Sequence, residues 1–286
     1  MRIAASMTAA LAAALAFAAP AAAREDRDQV GRQGTIAVDP DMSYIFFRSS
    51  ARVGVQFVRE PTAEERRLHA EARAEAYAIA RTRSERQLAS WQREREECRG
   101  HAARDASYCR YPPAQPAMVT PETFAYPPIE METMVMVAAG PQFTREEPGN
   151  TYLMRVKPGT YTLYGSIAFG DGGAVGVCLC MGSVRFEAPV GRIVDIGELR
   201  YPAEGAGEPP RRNMTTQVLV PPSESAALPA RLAGMPVVRA QLRSADKLPN
   251  FLAVEIDRHP PIEDVLGYDR DRVIDLRAAA APATGG

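Results

Sequence analysis

The chain is poor in the residue types from which active sites are usually assembled. Its 286 residues include three histidines, His69, His101 and His259, and four cysteines. No Ser lies in a nucleophile elbow, no HExxH pair occurs, and no Gly-rich loop runs into Lys and Ser or Thr. The familiar hydrolase, metalloprotease and nucleotide-binding signatures are therefore missing, and no cofactor is implied. Lysine is almost absent: Lys157 and Lys247 stand alone and every other basic side chain is Arg. Together with the abundance of Ala, this points to a GC-rich bacterial genome. Lys plus Arg number 34 against 35 Asp plus Glu, a formal net charge of -1. Such a balance supplies no general field to draw in nucleic acid or an anionic membrane, so neither is expected as a partner.

Long hydrophobic runs are also missing after the amino end. Met1 and Arg2 form a short positive region, Ile3 to Phe17 an Ala-rich apolar run, and Pro20 leads into Ala21-Ala22-Ala23. This is the pattern of a secretory signal peptide over residues 1–23, cut after Ala23. The run is shorter than the roughly 20 residues a bilayer requires, and Arg24-Glu25-Asp26-Arg27-Asp28 follows at once. No cysteine near the cut could carry a lipid. A periplasmic or secreted product is expected, with no transmembrane segment after cleavage.

Tyr44 to Arg48 and Val53 to Val58 have the branched and aromatic content of strands and read as a hairpin turning at Ser49 to Arg52. Residues 62–98 are filled with Ala, Glu, Arg and Gln and contain no Gly or Pro, which predicts helix. Thr62 with Glu65 makes a capping box, and a second box at Ser84 and Gln87 leaves open whether there is one helix or two. The apolar stripe, Leu68, Ala72, Ala76, Ile79, Leu88 and Trp91, is thin and breaks heptad spacing, which places the segment on a surface rather than in a core or a coiled coil. Tyr111 to Pro128 is Pro-rich and reads as an extended connection.

Short strand signals return at Glu132 to Val137, Tyr152 to Val156, Thr160 to Phe169, Val175 to Met181, Val184 to Glu187, Arg192 to Leu199 and Thr215 to Val220. Turn residues such as Lys157-Pro158-Gly159 and Gly170-Asp171-Gly172-Gly173 separate them. The expected fold is mainly β, an antiparallel β-sandwich over residues 24–220 with a charged helical insertion at 62–98. An irregular segment over 221–276 packs on the sandwich, and 277–286 form a disordered tail.

Four cysteines in an exported chain read most simply as disulfides, with Cys98 and Cys109 as the local pair. Cys178 and Cys180, two residues apart on a predicted strand, share a face, and a direct bond between them departs from preferred disulfide geometry. Three readings stand side by side: small buried hydrophobes or a local disulfide; a redox dithiol; or a soft metal site for copper(I), with Met181, Met134 and Met136 adding thioether sulfur. Asp269-Arg270-Asp271-Arg272 reads as a self-paired surface run.

The stretches Ser43-Tyr44-Ile45-Phe46-Phe47-Arg48, Val156-Lys157-Pro158-Gly159-Thr160-Tyr161 and Ser183-Val184-Arg185-Phe186-Glu187 resemble the uncharacterised exported β-sandwich domains of bacterial envelope lipoproteins. The resemblance implies a fold and no catalytic residues. The chain departs from those domains in lacking a lipid-anchoring Cys and in carrying the helical insertion. A non-enzymatic module that binds an envelope protein partner through its helix or a sheet edge is the leading expectation. A periplasmic thiol-redox or copper-binding protein using Cys178 and Cys180 is the alternative.

Overall fold

A computed structural model describes residues 28–102, 114–146, 149–201, 217–224 and 226–279. The signal sequence, the 277–286 tail beyond Ala279, the linker over 202–216 and residue Cys109 lie outside them. In chain order the elements are β1 (Ser43–Ser49), β2 (Val55–Arg59), the helix α1 (Ala63–Ala102), a single helical turn α2 (Ile129–Glu132), β3 (Met134–Val137), β4 (Thr144–Glu146) and β5 (Gly149–Val156). Then come β6 (Gly159–Gly170), β7 (Gly173–Cys178), β8 (Ser183–Ala188), β9 (Ile193–Arg200), β10 (Val218–Val220), β11 (Val237–Arg239), β12 (Arg243–Ala245), β13 (Glu255–Ile256), β14 (Leu266–Asp269), β15 (Arg272–Asp275) and the turn α3 (Leu276–Ala279). The protein is mainly β, with one long helix.

One sheet has the order β10-β9-β1-β5-β4, with β11 sharing the β9 edge. The second has the order β12-β8-β6-β2-β3, with β7 and then β13 extending from β6. A small third sheet is the β14-β15 hairpin. Among the described strands most pairs are antiparallel; β1 with β9, β11 with β9 and β13 with β7 are parallel.

The hairpin expected at Ser49 to Arg52 does not form. β1 pairs with β5 and β9 in the first sheet, whereas β2 pairs with β3 and β6 in the second. The segment carries the chain from one sheet to the other, as do the turns Lys157-Pro158 and Pro189 to Arg192. Local turn residues establish that the chain reverses, and pairing with distant strands decides where it goes. Gly170 to Gly173 does make the expected tight hairpin, with Gly170 opposite Gly173.

The run Tyr44-Ile45-Phe46-Phe47 is buried throughout because β1 is covered on both faces. Ile45 and Phe47 enter a core shared by the two sheets, with Phe57, Tyr152, Leu163 and Phe186. Phe47 of the first sheet meets Phe57 of the second edge to face at 6.0 Å. Tyr44 and Phe46 point the other way, into a cluster with Phe143, Leu153 and Leu232. Burying each such side chain contributes about 1.5–3 kcal/mol.

The carboxyl-terminal third supplies these outer layers. Leu232 covers the first sheet, where the Arg231 guanidinium donates to the carbonyls of Gly31, Phe143 and Gly34 at 2.7–3.0 Å. Phe251 stacks on Tyr164 of the second sheet, ring centroids 5.7 Å apart. The Tyr164 hydroxyl accepts the Phe251 N–H at 2.8 Å and donates to the Pro249 carbonyl.

Helix α1 runs 40 residues without a break. The capping box is made: Glu65 Oε2 accepts the Thr62 N–H at 2.9 Å and Thr62 Oγ1 accepts the Glu65 N–H at 3.2 Å. The second box is not made, because Ser84 sits inside the helix and bonds another segment, accepting the Val119 N–H at 3.2 Å. Ion pairs Arg67–Glu71 and Arg81–Glu85, both at i,i+4 spacing, lie on the exposed face, where solvent screens them.

Candidate functional site

At 1.5 Å per residue, α1 is about 60 Å long. That is more than its thin apolar stripe can bury, and Leu68 and Ile79 stand 50% and 63% exposed. The helix meets the sheets at its root, in the first turns. There Glu65 meets Arg59, the last residue of β2, at 2.5 Å, with Lys157 at 3.4 Å. Arg59 is 5% exposed, so its charge depends on that carboxylate. The hydrogen bond from Arg59 holds the Glu65 carboxyl down to about 2, against the opposing effect of its partial burial.

Beyond this root, α1 holds the returning Pro-rich segment 114–128. His69 packs on Tyr126 with centroids 5.2 Å apart, Tyr77 on Phe124 at 5.5 Å, and Phe124 stacks on Tyr126. His69 Nε2 lies 2.9 Å from the Pro127 carbonyl, and Arg73 donates to the Pro121 carbonyl at 3.1 Å. An extended Pro-rich segment leaves its carbonyls free, and the helix supplies the donors and the rings to hold it. Helix and return together form an arm clasped to the sheets at one end.

Removing the clasp should loosen the arm. Among the described residues, Glu65→Ala leaves the buried Arg59 guanidinium with the Glu60 carbonyl, which it meets at 3.2 Å. Because Glu65 itself is partly solvated, a loss of about 2 kcal/mol is expected rather than the full cost of a buried pair. Urea denaturation measures it, and limited proteolysis should cut first within 63–76.

A groove of about 610 Å³ opens at the root, between Leu68 and Ala72 of α1, Ile129 of α2, Met134 of β3, and Met154 and Val156 of β5. Its floor is apolar and its rim mixes Arg155, Lys157 and Glu132. The size suits a small ligand or a few residues of peptide. Two residues gave no signal in the sequence: Arg59, which lines the groove at the end of an apolar strand, and Gln29, ahead of the first strand, whose side chain bonds Ala138 just past β3.

Cys178 and Cys180 are joined, with sulfurs 2.09 Å apart. They do not share one strand as expected: β7 ends at Cys178, and Cys180 lies in the turn beyond it. Both are at most 3% exposed, in an apolar cluster with Tyr164 and Met134, against which Met136, Leu248 and Phe251 pack. Met181 is half-buried, its N–H bonded to the Asp257 carbonyl at 3.0 Å. Cys98 stands in the last turns of α1 and is not a free thiol; its expected partner, Cys109, lies outside the described residues. No group of three or more His, Cys, Asp or Glu that could hold a metal occurs among the described residues.

The histidines are not brought together. His69 belongs to the arm, His101 stands in the last turn of α1, and His259 is fully buried against β10, where Nε2 accepts the Leu219 N–H at 2.7 Å. No helix among the described residues is long and apolar enough to cross a membrane. Neither a protein-family model, nor a curated protein sequence, nor a solved structure matches this chain.

Proposed function

We propose that the protein is an exported, non-enzymatic binding module of the bacterial envelope, a β-sandwich that presents a helical arm to a protein partner. The arm carries this reading. A 40-residue helix that gives the core almost nothing, yet is clamped at its root and held along one face, costs conformational entropy that burial does not return. A partner that covers the exposed face around Ile79 supplies the missing return. The signal-like residues 1–23 support export to the periplasm or beyond, and the resemblance to envelope lipoprotein domains supports the sandwich. A core fed from the inner faces of both sheets supports it too.

The thiol-redox or copper reading has less support. Its two sulfurs are buried and roofed by Leu248 and Phe251, which keeps a partner thiol or a metal from reaching them.

A photo-crosslinking residue at Ile79, in cells of the native host, tests the arm, with Val175, comparably exposed on the β6-β7 hairpin, as control. A discrete adduct from position 79 and none from position 175 is expected. Equal, diffuse labelling at both positions, or none at 79, would sink the proposal.

A further inference from the structure

We infer that the outer edge of β3, at the mouth of the groove, is a docking edge for an extended segment of a partner polypeptide, which adds to the second sheet as a further strand. This rests on the binding-module reading and names the surface and the chemistry of the partner.

Strand β3 is the last strand of its sheet path, and the pairing parity fixes which of its peptide groups face outward. Val58 lies opposite Met134, and the Arg59 N–H donates to the Thr133 carbonyl at 3.1 Å. Hydrogen-bonding pairs alternate along an antiparallel ladder, so Val135 and Val137 face β2 while Met134, Met136 and the following Ala138 face away. Ala138 is satisfied in an unusual way. The Gln29 side-chain amide accepts its N–H at 2.9 Å and donates to its carbonyl at 2.9 Å, standing in for the peptide group of a neighbouring strand. Gln29 is itself held on β5, where Val30 N–H donates to the Leu153 carbonyl and Arg155 N–H to the Asp28 carbonyl, both at 2.8 Å.

The next two outward positions have no such stand-in. No hydrogen bond from the outward N–H or to the outward carbonyl of Met134 or Met136 is made among the described residues. Met134 is nonetheless 8% exposed, and buried peptide groups without partners are costly. Beside this edge lies the apolar groove, floored by Met154 and Val156 and walled by Leu68. An extended peptide meets both demands at once: its backbone pairs with Met134 and Met136, and alternate apolar side chains enter the groove. Methionines adapt to the side chains they receive.

The test selects linear octapeptides from a display library on the full secreted chain and remakes the best binder with alternate peptide nitrogens methylated. Methylation on the face that meets β3 should weaken binding at least about tenfold, the cost of one to two hydrogen bonds, while methylation on the other face changes little. Met136→Pro removes an outward N–H without touching the β2 ladder and should weaken binding equally, whereas Met136→Ala should not. In the free protein the Met136 amide should exchange with solvent much faster than those of Val135 and Val137, and the peptide should slow it.

Failure to select any octapeptide above background overturns strand addition. So does a binder indifferent to methylation, which would still leave a groove-binding module. A dimer that Met136→Pro dissolves would give the edge to a second copy of this chain and also overturn it. The methylated peptides require no change in the protein, so the test survives if the Pro variant does not fold. The crosslink at Ile79 reports on the arm alone, so its failure is separable from failure at β3.

Discussion

Gly197→Ala should leave the chain unable to hold its first sheet, with loss of about 3 kcal/mol or more and poor recovery of folded protein. Gly197 lies in β9 at φ +101°, a conformation that side chains rarely adopt, where the β1-β9 pairing shifts register. A Cβ there would fall inside the contact distance of the Val220 carbonyl and lie 2.9 Å from the Pro222 nitrogen. The obstacle is backbone, so relief means moving β10 off β9, and with it Leu219, which fills the shared core. Conformational strain alone costs about 1–3 kcal/mol, and the lost packing adds to it. Gly172→Ala is the control, because nothing lies within 4 Å of the Cβ it would gain and no change beyond about 0.5 kcal/mol is expected. Equal denaturation midpoints for the two variants would refute the argument.

Acid should destabilise the protein in two separate stages, the first set by His259. Its ring is fully buried. Leu219 N–H can only donate, so Nε2 carries the lone pair and Nδ1 holds the proton, donating to the Pro260 carbonyl at 2.6 Å. A second proton would break the tie to β10 and bury a charge. Burial accordingly pushes the imidazole below its ordinary value of 6.5. Tyr268, whose hydroxyl donates to the His259 carbonyl at 2.7 Å, is pushed up to about 12 by burial and stays neutral throughout this range.

The sign follows from proton counting. Below pH 6.5 the unfolded chain binds a proton that the folded chain refuses, so folding stability is full above that value and falls as pH drops towards the lowered folded one. The slope approaches about 1.4 kcal/mol per pH unit for one site. The second stage belongs to carboxyls held low by arginines, Glu65 among them, whose contribution is lost only as pH falls from 4.5 towards about 2. Denaturant midpoints measured between about pH 7.5 and 5 check the first stage. His259→Gln should be less stable at neutral pH and flat across that interval; a variant that keeps the wild-type slope would show that another group is responsible.

The helix was legible in residues 62–98 because its causes are local. Ala, Arg, Glu and Gln favour it at every turn, Thr62 and Glu65 cap it, and no Gly or Pro interrupts it. What Ser84 does was not legible, since a capping box and a buried hydroxyl bonded to Val119 have the same sequence. Most strands were found within a few residues, yet the pairing of the first two was not, because β1 (Ser43–Ser49) finds its partners far downstream, in β5 (Gly149–Val156) and β9 (Ile193–Arg200). β11 and β12 carried little signal, each being three residues whose pairing comes from the edges of β9 and β8.

By itself the sequence determined a mainly β chain with a charged helical segment, tight turns at its Gly and Pro positions, and no familiar catalytic constellation; that the segment is one unbroken helix came from the structure. These follow from propensity, period and residue inventory, which act within a few positions along the chain. Tertiary structure decided that consecutive strands cross between sheets, that Arg59 lies buried and meets Glu65, that Gln29 completes Ala138, and that His259 meets Leu219. Each of these is a match between groups brought together by packing, made because a buried polar group must find whatever donor or acceptor the folded chain presents to it.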